Sequence, residues 1–156
     1  MKHFERLDEL LISDRPNVAI ADLDTFIAEQ CRYGDNLEVL TVPQRNFFYN
    51  QSLEKEVNNG GFEQYFLNSA GRFAHETLRS LRAIGAIKTS NLLQQAIRLF
   101  PGAVVPEDRT ERVGLMKQVP DKVIEAWDEL DQEFYAYEED LVALNLNYVR
   151  QHKASF

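Results

Sequence analysis

An all-α fold, one domain of about six to eight helices, is what this sequence predicts, and three observations carry the prediction. Apolar residues recur three and four positions apart through most of the chain, and no stretch shows the alternation of a half-buried strand. Helix-starting and helix-stopping residues punctuate that pattern: Thr41 with Gln44, Ser90, Asn59-Gly60 and Pro101-Gly102. From Val123 through Trp127, Leu130, Phe134, Tyr137, Leu141 and Leu144 to Tyr148 the spacing alternates four and three. That repeat predicts one long C-terminal amphipathic helix, or two nearly collinear ones, packed along a seam.

In order, Phe4, Leu7, Leu10 and Leu11 place a short helix over 3–13. Asp14 offers an N-cap to a second helix with Pro16 in its first turn, and Gly34 can end it. Cys31 falls on that helix's apolar stripe, which predicts a buried structural thiol. After a connector over 35–40, Thr41 and Gln44 have the form of a capping box, with Pro43 in the first turn of a helix over 42–58. Asn58-Asn59-Gly60-Gly61 then predicts a tight reversal, because Asn and Gly tolerate the left-handed conformation that follows a helix end. A second, aromatic helix opens near Gly61 or Phe62. Residues 74–85 form the next helix, and Ser90 can cap another carrying Leu93, Ala96, Ile97 and Phe100. Residues 101–120 hold three prolines and mixed charge, enough for one or two helical turns around 110–117.

At 156 residues and 44% hydrophobic, the chain can bury a proper core, and 1–156 is read as one domain. A net charge of −8 argues against general affinity for nucleic acid or an anionic membrane surface. The lone Cys31, the charged start MKHFERLDEL and the lack of a long apolar run predict a soluble, acidic, cytoplasmic protein.

The stretch Glu56-Val57-Asn58-Asn59-Gly60-Gly61-Phe62, followed by Gln64-Tyr65-Phe66, Asn68-Ser69 and Gly71, resembles the signature of a bacterial family of domains of unknown function that includes a DNA-mimic protein. The similarity runs more loosely from about 41 to 148, leaving 1–40 as an N-terminal helical extension. The resemblance implies a non-catalytic protein-binding module. Its acidic surface would occupy the DNA-binding face of a helix-turn-helix regulator, as a homodimer and without binding nucleic acid or membrane itself. An immunity-type inhibitor of another basic protein would use the same surface.

Charge is segregated along the chain in a way that bears on this. Net charge is −5 over residues 1–40, +3 over 41–120 and −6 over 121–156. Between Glu125 and Asp140 there are eight carboxylates and no Lys or Arg: Glu125, Asp128, Glu129, Asp131, Glu133, Glu138, Glu139 and Asp140. On one helix they would span roughly 22 Å, about one per 3 Å, against one charge per ~1.7 Å in duplex DNA. Two readings stand side by side. The run is a partner-binding surface, or it is a solvated face neutralised internally by the stripe Arg72, His75, Arg79 and Arg82.

Other chemistry is poorly supported. The motif amides Asn58, Asn59, Gln64 and Asn68, with Tyr65, could line a ligand pocket or an enzyme site. The structural alternative is a network that satisfies buried amides and fixes the turn, together with Gly60, Gly61, Phe62 and Gly71. His3, His75 and His152 lack metal-ligand spacing, and Gly60-Gly61 lacks the strand and further glycines of a phosphate loop, so no metal, cofactor or catalytic set is predicted.

Overall fold

The described residues, 4–156, of the computed structural model hold eight α-helices, five short 3₁₀ turns and no strand. They are α1 (Leu7–Leu11), α2 (Pro16–Gln30), α3 (Val42–Leu67), α4 (Ala74–Ala83), α5 (Ile87–Leu99), α6 (Arg109–Met116), α7 (Asp121–Tyr135) and α8 (Leu141–Gln151). His3 lies outside the described residues.

The longest element, α3, is the axis of the fold, because it supplies side chains to both halves of the core. Phe47, Phe48 and Tyr49 from its first turns pack with Leu23, Ile27, Leu146, Val149 and Phe156. Leu53, Val57, Phe62, Tyr65 and Phe66 pack with Leu81, Leu93, Phe100, Trp127 and Phe134. The start of α3 is the predicted capping box: the Gln44 N–H donates to Thr41 Oγ1 at 3.2 Å, and the Thr41 N–H donates to Gln44 Oε1 at 3.0 Å. Cys31 is fully buried, its Sγ donates to the Ala28 carbonyl, and burial pushes the thiol up.

Three expectations are corrected. The α2 N-cap is Arg15 rather than Asp14, and the Ser13 hydroxyl accepts the Arg15 N–H at 3.1 Å. Helix α5 starts three residues before Ser90, whose hydroxyl instead donates to the Ile87 carbonyl. Of one long C-terminal helix or two, the single helix is overturned: α7 and α8 are separate, broken over 136–140, where Tyr137 takes φ +46°. The break follows from side-chain competition for backbone donors: Asp140 accepts the Ala143 N–H at 2.9 Å and starts a new helix. The apolar repeat gives no sign of it, since Tyr137 still packs on Phe134, with ring centroids 5.8 Å apart.

Candidate functional site

The Asn-Asn-Gly-Gly stretch is a sharp elbow within α3. Gly60 (φ −164°, ψ 22°) and Gly61 (φ 74°, ψ −173°) are its two non-helical residues. A straight helix would hold residues 56 and 68 about 18 Å apart. Here one Glu56 carboxylate oxygen accepts from Gln64 Nε2 at 2.7 Å and from Asn68 Nδ2 at 2.9 Å, so the second segment folds back on the first. Asn59 Nδ2 donates to Gln64 Oε1 at 3.1 Å. The glycines are required by close approach. A Cβ on Gly60 would stand 2.1 Å from Gln64 Oε1, one on Gly61 2.0 Å from Asp131 Oδ2, and one on Gly71 2.5 Å from the Tyr65 carbonyl oxygen. Buried Tyr65 donates its hydroxyl to Thr77 Oγ1 at 3.1 Å, and burial pushes the phenol up. The motif amides are therefore largely spent on holding the elbow.

Two outside groups complete it. Asp131 of α7 accepts the Phe62 N–H at 2.8 Å and so caps the helix where it resumes. Tyr135 donates its hydroxyl to the Val57 carbonyl at 2.8 Å, where the first segment ends. A third contact starts from Asn58, whose Nδ2 donates to the Tyr137 hydroxyl at 2.6 Å while that hydroxyl donates to Glu54 Oε1 at 2.8 Å. Burial pushes the Tyr137 phenol up to about 12 and raises the Glu54 carboxyl as well.

The acidic run divides into two sets. Four of its carboxylates serve the fold. Asp131 is 7% exposed, which corrects its assignment to the acidic surface; four residues after buried Trp127 and three before buried Phe134, it shares their inward face of α7. Burial pushes its carboxyl up to about 6, with Asp128 and Glu63 adding to the effect. Glu139 accepts the N–H groups of Lys88 and Thr89, at 2.8 and 2.9 Å, and so caps α5 from the 136–140 linker. Glu138 pairs with Lys88 Nζ at 2.7 Å, a contact that lowers its carboxyl, and Asp140 caps α8. The other four, Glu125, Asp128, Glu129 and Glu133, are exposed on α7 and have no ion-pair partner among the described residues. They lie within about 12 Å of helix, on average about 4 Å apart.

The arginine stripe does not neutralise them. Arg72 reaches Asp35 at 3.5 Å and lies over the Phe73 ring, and Arg79 pairs with Glu76 at 3.4 Å. Arg82 is exposed, and His75 Nε2 accepts the Val105 N–H at 3.1 Å. The positive middle segment instead holds a residue that periodicity could not single out. Arg112 of α6 is 1% exposed and donates to four carbonyls, those of Phe66, Asn68, Pro106 and Glu107. Phe66 and Asn68 lie at the C-terminal end of α3, where unpaired carbonyls and the helix dipole favour a cation. Burial lowers the guanidinium's proton affinity.

Among the described residues no group of three or more His, Cys, Asp or Glu is placed to hold a metal ion, and no helix is long and apolar enough to cross a membrane. A family model described as DMP19-like protein matches residues 38–152, most of the chain, including the elbow, the acidic run and the α7–α8 break. No curated protein and no solved structure matches the chain.

Proposed function

We propose, from the premise that the chain belongs to the DMP19-like protein family, that it is a non-catalytic protein-binding module of the DNA-mimic type. Its acidic α7 face occupies the DNA-binding surface of a basic regulator of the helix-turn-helix kind. One observation carries the reading. Glu125, Asp128, Glu129 and Glu133 stay exposed and without an ion-pair partner among the described residues, while the other carboxylates of the run, Arg72 and Arg79 are engaged elsewhere. Spaced at about 4 Å along the helix, these four present a little under half the linear charge of a duplex. A surface of that kind attracts a phosphate-binding face through the electrostatics that DNA itself uses. A homodimer would bring a second such stripe beside the first.

The test is capture of partners from native extract at low salt, release by a salt step, and competition with duplex DNA. The reading expects a basic DNA-binding protein that modest salt and its own DNA both displace. It also expects the triple variant Glu125→Lys, Glu129→Lys, Glu133→Lys to lose that protein while staying folded. A partner indifferent to salt, to DNA and to the triple variant refutes the proposal. Light scattering on the purified chain tests the dimer.

A further inference from the structure

Where α7 gives way to the 136–140 linker, a cleft of about 260 Å³ opens against the first half of α5. Leu92, Phe134 and Leu141 give it an apolar lining, and Glu133, Glu138 and Gln95 add polar groups. Glu133 is exposed and lies one helical turn beyond Glu129, so the cleft continues the acidic stripe of α7. Glu138 is engaged by Lys88 in a contact exposed on both sides, 62% and 65%, of the kind a competing cation displaces at little cost.

We propose that this cleft receives one arginine side chain of the basic partner. The inference rests on the reading of the α7 face given above and names the residue type that anchors it. Cleft and arginine are complementary in charge and in shape. An arginine stem covers apolar lining such as Leu92 and Leu141 while its head stays at the polar groups. The planar guanidinium offers a fork to the Glu133 carboxylate and a flat face to the aromatic side chains at the cleft. Lysine, a compact and strongly hydrated point charge, matches neither feature. The cleft is also set before any partner arrives. Glu139 ties the linker to the start of α5, and Tyr137, which lines the cleft, is held between Asn58 and Glu54. A preformed pocket spares the partner the cost of ordering it.

Hexa-arginine and hexa-lysine peptides carry the same charge, so general attraction to the acidic face is equal for both. Titration calorimetry of the full chain at low salt is expected to show hexa-arginine binding roughly fivefold tighter, about 1 kcal/mol. Glu133→Gln removes that preference, whereas Glu129→Gln, on the same helix but outside the cleft, weakens both peptides alike and keeps it. Equal affinity for the two peptides, or an arginine preference that survives Glu133→Gln, overturns the cleft proposal and leaves the acidic-face reading standing. Failure of both peptides to bind overturns the two together.

Discussion

Replacing Asp131 by Asn separates charge from shape at the elbow. The amide oxygen of the introduced side chain would still accept the Phe62 N–H, but no charge would be buried. Burial moves the Asp131 carboxyl from its ordinary 3.8 up to about 6, with the Phe62 N–H pulling against the shift and Asp128 and Glu63 adding to it. Between those two values the folded chain holds a proton that the unfolded chain has released. The contribution of this group to stability is therefore fully present below about pH 4 and is lost as pH rises through 6. The displacement corresponds to about 3 kcal/mol, on a side chain that is 7% exposed and so little screened by solvent. Urea unfolding, followed by the fluorescence of the single and fully buried Trp127, is to be compared for the two proteins from pH 4 to pH 8. The expected result is near-equal stability at pH 4 and a growing advantage of Asp131→Asn, up to about 3 kcal/mol, at pH 8. That is roughly 6–12 °C in Tm for a chain of this size. Parallel pH profiles, or a less stable variant at pH 8, refute the claim that Asp131 is an ionised carboxylate buried at a cost.

The remaining predictions concern the elbow, the buried guanidinium, the cap that Glu139 gives α5 and the exposed carboxylates. Gly61→Ala meets both a left-handed backbone and the Asp131 carboxylate, and is expected to cost about 2–4 kcal/mol in urea unfolding. Gly60→Ala must displace Gln64 but keeps an extended φ of −164° that any residue adopts, and costs less, so equal losses would contradict the elbow geometry. Arg112→Ala strands four carbonyls and is expected to cost about 3–5 kcal/mol. Arg112→Lys recovers only a part, because one ammonium cannot reach all four acceptors. Glu139→Ala removes the cap of α5 and should lower stability by about 1 kcal/mol, with amide-exchange protection falling first near the start of that helix. Reversing Glu125, Glu129 and Glu133 to Lys should move stability by less than about 0.5 kcal/mol per site, since all three are exposed and unpaired.

Much of the fold was legible because helices announce themselves locally. Period, caps and breakers are properties of neighbouring residues, and they locate α2, the Thr41 capping box, the elbow glycines and α5 to within a few residues. They also place Cys31 in the core. For the motif amides they leave a pocket and a turn-fixing network side by side, and the structure ties Asn59, Gln64 and Asn68 to one another and to Glu56. Two helices stood as an alternative to one for the C-terminal repeat, but the place of the α7–α8 break was hidden because an apolar repeat records which side faces the core, and that record runs through a five-residue interruption unchanged. Its one signal, an Asp placed to cap the helix that begins at Leu141, was outweighed by the regular spacing.

The acidic candidate site was legible only as a list of carboxylates. Composition and spacing determined that eight of them lie close together without a Lys or Arg among them. Which of the eight face solvent depends on groups far away in sequence: the Phe62 N–H claims Asp131, the start of α5 claims Glu139, and Lys88 claims Glu138. The arginine stripe could have neutralised the run, yet Arg72, in the turn before α4, reaches Asp35, and Arg79 pairs with Glu76 within α4 itself. Arg112, indistinguishable in sequence from any surface arginine, becomes a buried clasp because α6 lies at the C-terminal end of α3. Helical periodicity is short-ranged and so resides in the sequence, whereas the pairing of a charge is set by whatever the chain brings within about 3 Å of it, and only tertiary packing decides that.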